Sequence, residues 1–162
     1  MSFDLMVFDP AVAPTSAEAF AAWQRELSSW HENDEFRLDP AKAGAAPKAW
    51  FMEMIRHFPP KDGPFSLPGW DQRRTWAAYR FAEPLCWAQF RVEDTEMAAS
   101  LGFEAARRHG LGVHDIGGDG RVWMPGPDGA HVATMTVSRG PLAEIRDASK
   151  KGLLGGLFRR KG

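Results

Sequence analysis

Apolar residues recur along this chain with two periods, and each period predicts one kind of element. Residues 3–8 are apolar on both alternating faces and stop at Asp9-Pro10, which is typical of a strand inside a sheet. A break at Glu83-Pro84 separates two aromatic-rich runs and predicts a hairpin. Glycine-rich turns separate the last three runs and predict a meander. The predicted strands are residues 3–8, 76–81, 85–92, 111–116, 121–124 and 131–137.

Three other segments carry apolar residues three or four positions apart, as on one face of an α-helix. Thr15 and Glu18 have the spacing of a capping box, which predicts a first helix over residues 16–30. Pro47 suits the first turn of a second helix, because its missing N–H would have no partner there. That helix is predicted to end before Pro59.

A third helix is predicted to begin at Asp94 or Thr95, either of which can cap it, and to end at Gly110. Glycine at that position accepts the left-handed backbone conformation with which many helices finish. The side chains predicted to form the inner face of this helix are Met97, Ala98, Leu101 and Ala105.

The order of these elements is strand, helix, helix, strand, strand, helix and three strands. It predicts an α+β fold, with a mainly antiparallel sheet and the helices packed on one face. The specific expectation is a ferredoxin-like variant with an extra helix and a C-terminal hairpin. Residues 1–140 are predicted to form a single α+β domain, and residues 141–162 a basic C-terminal tail.

Charge is unevenly distributed along the chain, whose formal net charge is −1 over 162 residues. From Arg146 onward six basic residues stand against Asp147, so that end carries +5 and the rest carries −6. The single thiol excludes an internal disulfide, and the first residues lack the pattern of a signal peptide. No apolar run approaches the roughly 20 residues of a membrane span. We therefore predict a cytoplasmic protein.

Residues suited to chemistry are few and scattered. His114 and His131 belong to predicted strands that can be neighbours, and Asp115 follows the first of them. A small-molecule or metal-dependent enzyme with a site near these three residues is the alternative hypothesis. Cys86 lies in an apolar strand, where a thiol is usually inert. No glycine-rich loop leads into a helix, so no nucleotide site is predicted, and neither a cofactor nor a metal is assigned.

Two segments favour binding to another protein instead. The acidic cluster that follows the first helix is suited to steering a basic partner. The second segment, residues 61–74, is a long irregular loop, and a Trp on such a loop can anchor a partner by burying a large area. The other interpretation is that this Trp folds back onto the core. The predicted partner-binding residues are Glu32, Asp34, Glu35, Asp62, Trp70 and Asp71.

The basic tail alternates pairs of charged residues with a short apolar stretch. A solvated terminus is the first interpretation, and contact with an anionic membrane is the second. Basic residues elsewhere are diluted by acidic ones and form no stripe, so nucleic-acid binding is not predicted. The tail residues singled out are Lys150, Lys151, Arg159 and Arg160.

Several stretches also carry a resemblance to a known family. They are SFDLMVFDP at residues 2–10, AWFMEMIRHFPP at 49–60, Gly63-Pro64, and GRVWMP at 120–125. Together they resemble a family of small uncharacterised bacterial proteins that are similar to immunity-type proteins found near polymorphic toxin genes. The resemblance spans residues 2–125 and carries no catalytic residues. It implies a non-enzymatic binding protein whose partner is a toxin domain.

Overall fold

The computed structural model of the chain describes residues 2–29 and 35–137. Residues 1, 30–34 and 138–162, which include the whole predicted basic tail, lie outside that description. The strands are β1 (Ser2–Phe8), β2 (Ala77–Ala82), β3 (Leu85–Arg91), β4 (Gly112–Asp115), β5 (Arg121–Pro125) and β6 (His131–Thr136). The helices are α1 (Ala17–Leu27), α2 (Ala45–Met54) and α3 (Thr95–Arg108), with 3₁₀ helices at Glu35–Leu38, Pro40–Lys42, Trp70–Gln72 and Val92–Asp94.

The strands form one sheet in the order β2-β3-β1-β4-β5-β6, and every neighbouring pair is antiparallel. β1 lies in the middle of the sheet, as its two apolar faces predicted. The first four strands, with α2 and α3 in the two crossovers, have the ferredoxin-like arrangement. The β5–β6 hairpin extends the sheet beyond β4. The predicted α+β fold with a mainly antiparallel sheet is therefore confirmed.

The helices do not all lie on the same side of this sheet. Alternate residues of β1 separate two apolar clusters, which define the two faces. α2 and α3 cover the first face, and α1, the additional helix, covers the second face, so the expected single helical layer holds only for α2 and α3. From β1, the first face contains Phe3, Leu5 and Val7, and the second face contains Met6 and Phe8.

α3 approaches the sheet closely because its inner side chains are small. A Cβ atom at Gly102 would lie 2.9 Å from Leu5 Cδ1 and 3.6 Å from the Trp50 ring. The indole Nε1 of Trp50 donates a hydrogen bond to the carbonyl of Gly102 at 2.9 Å. Met97, which was expected to point inward, is 41% exposed, because the buried stripe of α3 runs through Ala98 and Gly102 and leaves Met97 outside it. The buried residues of α3 are Ala98, Gly102, Ala105 and Ala106.

The helix ends follow the sequence signals with small shifts. Ser16, rather than Thr15, caps α1, and its hydroxyl accepts the N–H of Ala19 at 3.3 Å. Pro47 lies in the first turn of α2, where its missing N–H leaves no unpaired donor. Gly110 follows α3 with φ of +65°, the left-handed conformation expected at that position.

Candidate partner-binding site

The loop that joins α2 to β2, residues 61–74, is tied to the sheet at its start. Pro60 forms a parallel bridge with Ala77, and the N–H of Lys61 donates to the Ala77 carbonyl at 2.9 Å. The guanidinium of Arg80 donates to both carboxylate oxygens of Asp62, at 3.0 and 2.9 Å. Asp62 was predicted to contact a partner, but this two-pronged ion pair anchors the loop to β2.

The loop also holds its own shape. The N–H of Ser66 donates to the Gly63 carbonyl at 3.1 Å, and the Ser66 hydroxyl donates to the Lys61 carbonyl at 3.0 Å. Gly63 has φ of +82°, and a Cβ atom there would lie 2.9 Å from the Leu38 carbonyl oxygen. Only glycine fits both conditions. The fold of the loop is therefore set before any partner arrives.

Aromatic contacts attach the middle of the loop to the domain. The ring of Phe65 packs edge-on against Phe51 of α2, with ring centroids 5.6 Å apart. Trp70 packs edge-on against Trp76 at 5.0 Å, and the Nζ of Lys61 lies 5.9 Å from the Trp76 ring centroid. Trp70 is half-buried, so it partly folds back onto its neighbour, which was one of its two expected positions.

Large apolar side chains nevertheless face outward from this ordered loop. Phe65 is 40% exposed and Leu67 is 54% exposed. Asp71 and Arg73, later in the same loop, are exposed charged residues. We call Phe65, Leu67, Trp70, Asp71 and Arg73 the loop surface. It combines apolar and charged side chains on one loop, as protein interfaces do.

Space beneath the loop is too small for a ligand. The cavity between the loop and the core has a volume of about 10 Å³, at the lower limit for a single water molecule. Small-molecule sites occupy roughly 300–1,000 Å³. The loop surface can therefore contact a partner from outside, but it does not enclose a small molecule. The cavity is lined by Leu38, Phe51, Pro60, Asp62, Pro64, Phe65, Tyr79 and Phe81.

The loop surface was only partly predicted from the sequence. Trp70 and Asp71 belong to it, whereas Phe65 and Leu67 were missed. A signal for them exists in the sequence, because two apolar residues between Gly63-Pro64 and Pro68-Gly69 follow neither helical nor strand periodicity and so have no predicted place in the core. The acidic cluster cannot be joined to it. Glu32 and Asp34 lie outside the described residues, as do Lys150, Lys151, Arg159 and Arg160, and Glu35 begins a 3₁₀ helix whose first side chains are not described.

The three residues of the alternative enzyme hypothesis do not come together. His114 points to the second face, where its ring packs on Phe20 of α1. His131 points to the first face, and its Nε2 lies 2.8 Å from the Leu111 carbonyl oxygen. Asp115 accepts the N–H of Gly118 at 2.9 Å and so shapes the turn after β4. Among residues 2–29 and 35–137, no cluster of His, Cys, Asp and Glu has the geometry to hold a metal ion.

His114 is a buried structural residue on the second face, with 3% of its surface exposed. Its Nδ1 lies 2.6 Å from the side-chain oxygen of Gln24, and since that oxygen only accepts, Nδ1 carries the proton. Burial lowers the pKa of His114 to about 4, and the nearby Gly120 backbone opposes the shift only in part. The ring is therefore neutral near pH 7, and its Nε2 has no hydrogen-bond partner in the described part of the chain.

Two further titratable side chains, Cys86 and Glu53, have pKa values shifted by their surroundings. Burial raises the pKa of the Cys86 thiol well above its usual value, so a nucleophilic thiolate is disfavoured there, as its apolar strand predicted. The Glu53 carboxylate binds both Arg108 and His109 at the ends of α2 and α3, and the Arg108 hydrogen bond lowers the pKa of Glu53. This cluster joins two helices and faces no cavity among those described.

A cleft of about 550 Å³ lies near the start of α2, and its lining includes the Trp23 ring and the acidic residues Asp9 and Glu83. The carboxylate of Asp9 already accepts the N–H of Ala11 at 2.9 Å.

No described helix is long and apolar enough to cross a membrane. Comparison of the chain with protein-family models, curated proteins and solved structures finds no significant match.

Proposed function

We propose that this protein is a non-enzymatic binding module that docks on a protein partner through the loop surface. The observation that carries this proposal is the pair of outward-facing apolar side chains, Phe65 and Leu67, on a loop that is already ordered. Water leaves such side chains when a partner covers them, and this release stabilises the complex.

The order of the loop matters as much as its exposed side chains. Binding costs free energy when a flexible segment must be immobilised, and a loop held by internal hydrogen bonds avoids most of that cost. The Arg80–Asp62 ion pair and the Ser66 hydrogen bonds supply this order. Aromatic and apolar anchors surrounded by charged residues are typical of interface hot spots. The loop surface combines both properties.

The partner proposed is a toxin domain, which the module would bind and neutralise. This part of the proposal rests on the resemblance of residues 2–125 to immunity-type proteins. The shape of the site supports a macromolecular partner independently, because the cavity under the loop holds about 10 Å³ and Leu67, 54% exposed, is not among its lining residues. Within the part of the chain that the structure describes, no group of three or more His, Cys, Asp and Glu side chains able to hold a metal ion accompanies the loop surface.

Substitution of Leu67 by Asp tests the proposal. Leu67 is 54% exposed, so the change leaves the core intact but replaces an exposed apolar side chain of the loop surface by a charged one. We expect at least about a tenfold loss of affinity with an unchanged melting temperature. The partner would first be captured with the full chain as bait, and its affinity for the chain would then be measured by calorimetry with the purified partner.

Val12→Asp is the matched control, since Val12 is 56% exposed and lies near the start of α2, away from the loop surface. It should bind as the unaltered chain does. If Leu67→Asp and Val12→Asp bind equally well, the loop surface is not the docking site. If the captured ligand is a small molecule that is chemically converted, the binding-module proposal itself fails.

A further inference from the structure

The two edges of the sheet differ in how they are protected. On one edge, β2 is flanked by the parallel bridge between Pro60 and Ala77, and the 3₁₀ helix Glu35–Leu38 packs close to it. β2 also contains the charged residue Arg80. Coverage and charge are the devices by which natural proteins prevent an edge strand from pairing with another chain.

The opposite edge, β6, has neither cover nor charge in the described residues. It does carry a β-bulge at Thr134, since Val122 pairs with Met135 and Trp123 pairs with Ala133. No described strand pairs with its outer side. Its sequence, HVATMT, contains no Asp, Glu, Lys, Arg, Pro or Gly. Val132 is 52% exposed, and Ala133, Thr134 and Thr136 are exposed as well. An uncharged strand of β-favouring residues at a sheet edge is a template for pairing.

The direction of the backbone groups in β6 follows from its two ends. The N–H of Val137 donates to the Gly120 carbonyl at 2.9 Å, and the N–H of Gly126 donates to the Ala130 carbonyl at 2.7 Å. Residues 130 and 137 therefore turn their backbone groups towards β5 and its flanking turns. These groups alternate along a regular strand, and the β-bulge at Thr134 shifts the alternation by one residue, so the backbone groups of both His131 and Thr136 point outward.

We propose that β6 pairs antiparallel with β6 of a second copy of this chain, which makes a twofold-symmetric dimer with one continuous sheet. This inference is independent of the proposed function, because the loop surface lies beside β2 at the other edge. Every neighbouring pair in the sheet is antiparallel, so the new pair continues the existing pattern.

A second copy fits this edge because the strand is complementary to itself. With the twofold axis between Ala133 and Thr134, the outward-pointing His131 of one copy pairs with Thr136 of the other. Val132 then lies opposite Met135 of the second copy, and both belong to the second face, since they pair with Met124 and Val122. No like charges meet, because β6 has no carboxylate, ammonium or guanidinium group.

The mass of the full chain in solution tests the dimer. Sedimentation equilibrium over a concentration series should show reversible association to twice the 18.0 kDa mass of one chain. Val132→Lys should raise the dissociation constant at least about tenfold, because the new charge would lie against Met135 of the second copy. Val92→Lys is the control, since Val92 is 49% exposed but far from β6, and it should dimerise normally.

A disulfide experiment checks the pairing register without weakening the strand. A chain that carries both Val132→Cys and Met135→Cys should form a covalent dimer on mild oxidation, whereas either single variant should not. Within one chain the two positions lie roughly 10 Å apart along the strand, too far to bridge, and Cys86 is buried. A chain that remains monomeric at every concentration, or a dimer unaffected by Val132→Lys, would overturn the proposal.

Discussion

On the first face of the sheet, α3 packs through small residues, and its Gly102 lies against Leu5 and against Trp50, one of the large side chains that α2 buries. On the second face, a single helix is held off the sheet by aromatic rings: Phe20 and Trp23 of α1 meet the ring of Phe8 at 5.1 and 6.0 Å. The first face combines this close approach with many buried aromatic side chains, whereas the second face is covered by one helix and fewer large side chains. We therefore expect more dispersion contacts on the first face.

The two faces also differ in how they treat buried polar groups. On the first face, Trp50 donates to the Gly102 carbonyl at 2.9 Å, and the Tyr79 hydroxyl donates to the Phe58 carbonyl at 2.8 Å. On the second face, His114 pairs with Gln24 through Nδ1 alone. A satisfied polar group adds to stability, while a buried ring that resists protonation makes stability depend on pH. We therefore expect the first face to contribute more to the free energy of unfolding, and the second face to make that free energy sensitive to acid.

The largest effect is expected from Trp50→Ala on the first face. The Trp50 side chain is fully buried, and its removal leaves a cavity and an unpaired Gly102 carbonyl. We expect the free energy of unfolding to fall by about 3–5 kcal/mol. Urea denaturation followed by far-ultraviolet circular dichroism measures it. Met52→Ala, at a position 38% exposed on the same helix, should change stability by less than about 0.5 kcal/mol.

A smaller effect is expected when the second face is acidified. His114 has a pKa near 4 in the folded protein, and an unfolded chain has an ordinary histidine pKa of about 6.5. The unfolded state therefore binds a proton first, so stability is complete above pH 6.5 and falls as the pH drops towards 4, by roughly 3 kcal/mol in all. Denaturation curves at several pH values would show this loss.

His114→Gln should flatten that pH dependence, because no ring remains to titrate. His57→Gln should leave it unchanged, since His57 is exposed at the end of α2. If the free energy of unfolding falls equally between pH 6.5 and 4 in all three chains, His114 does not control the pH dependence. The two faces then do not differ in their sensitivity to pH.

The smallest effect is expected from Gly102→Val, which probes the close approach of α3. A Cβ atom at this position would lie 2.9 Å from Leu5 Cδ1, so the helix or the Leu5 side chain must shift. Overpacking of this kind costs about 1–3 kcal/mol. Ser100→Val, on the exposed side of the same helix, adds the same β-branched side chain without the contact. Equal unfolding midpoints for the two variants would show that the approach is not tight.

The proposed binding loop is attached to the stronger of the two faces. Phe65 packs on Phe51, which is 2% exposed in the core of the first face. A docking site gains from a rigid base, because less order must be created when the partner binds. The helix of the second face is remote from this loop in the sequence and packs with the other apolar cluster.

Much of the fold could be predicted because its signals are local. Residues 3–8 are apolar on both faces, so they had to lie inside a sheet, and β1 does. The turn residues around Glu83-Pro84 predicted a hairpin, and β2 pairs with β3. The side of the sheet that α1 covers could not be predicted, because an apolar stripe on a helix fits either face of a strand that is apolar on both.

The candidate site was less predictable for a similar reason. Trp70 stands out in the sequence because a Trp in an irregular loop is unusual, but its contact with Trp76 depends on where β2 begins. From the sequence, Asp62 was interpreted as a surface charge available to a partner, but in the fold it forms an ion pair with Arg80 of β2. Whether an exposed charge binds a partner or its own sheet depends on the neighbour that the fold supplies.

By itself, the sequence determined the elements, their approximate ends and the antiparallel character of the sheet, since periodicity, caps and turn residues act over a few positions. The tertiary structure alone decided which residues meet across long separations. Gln24 reached His114, Trp50 reached Gly102, and the three residues of the enzyme hypothesis were divided between opposite faces. The alternation of side chains along each strand sends neighbours to opposite sides, and only the assembled sheet shows what covers each side.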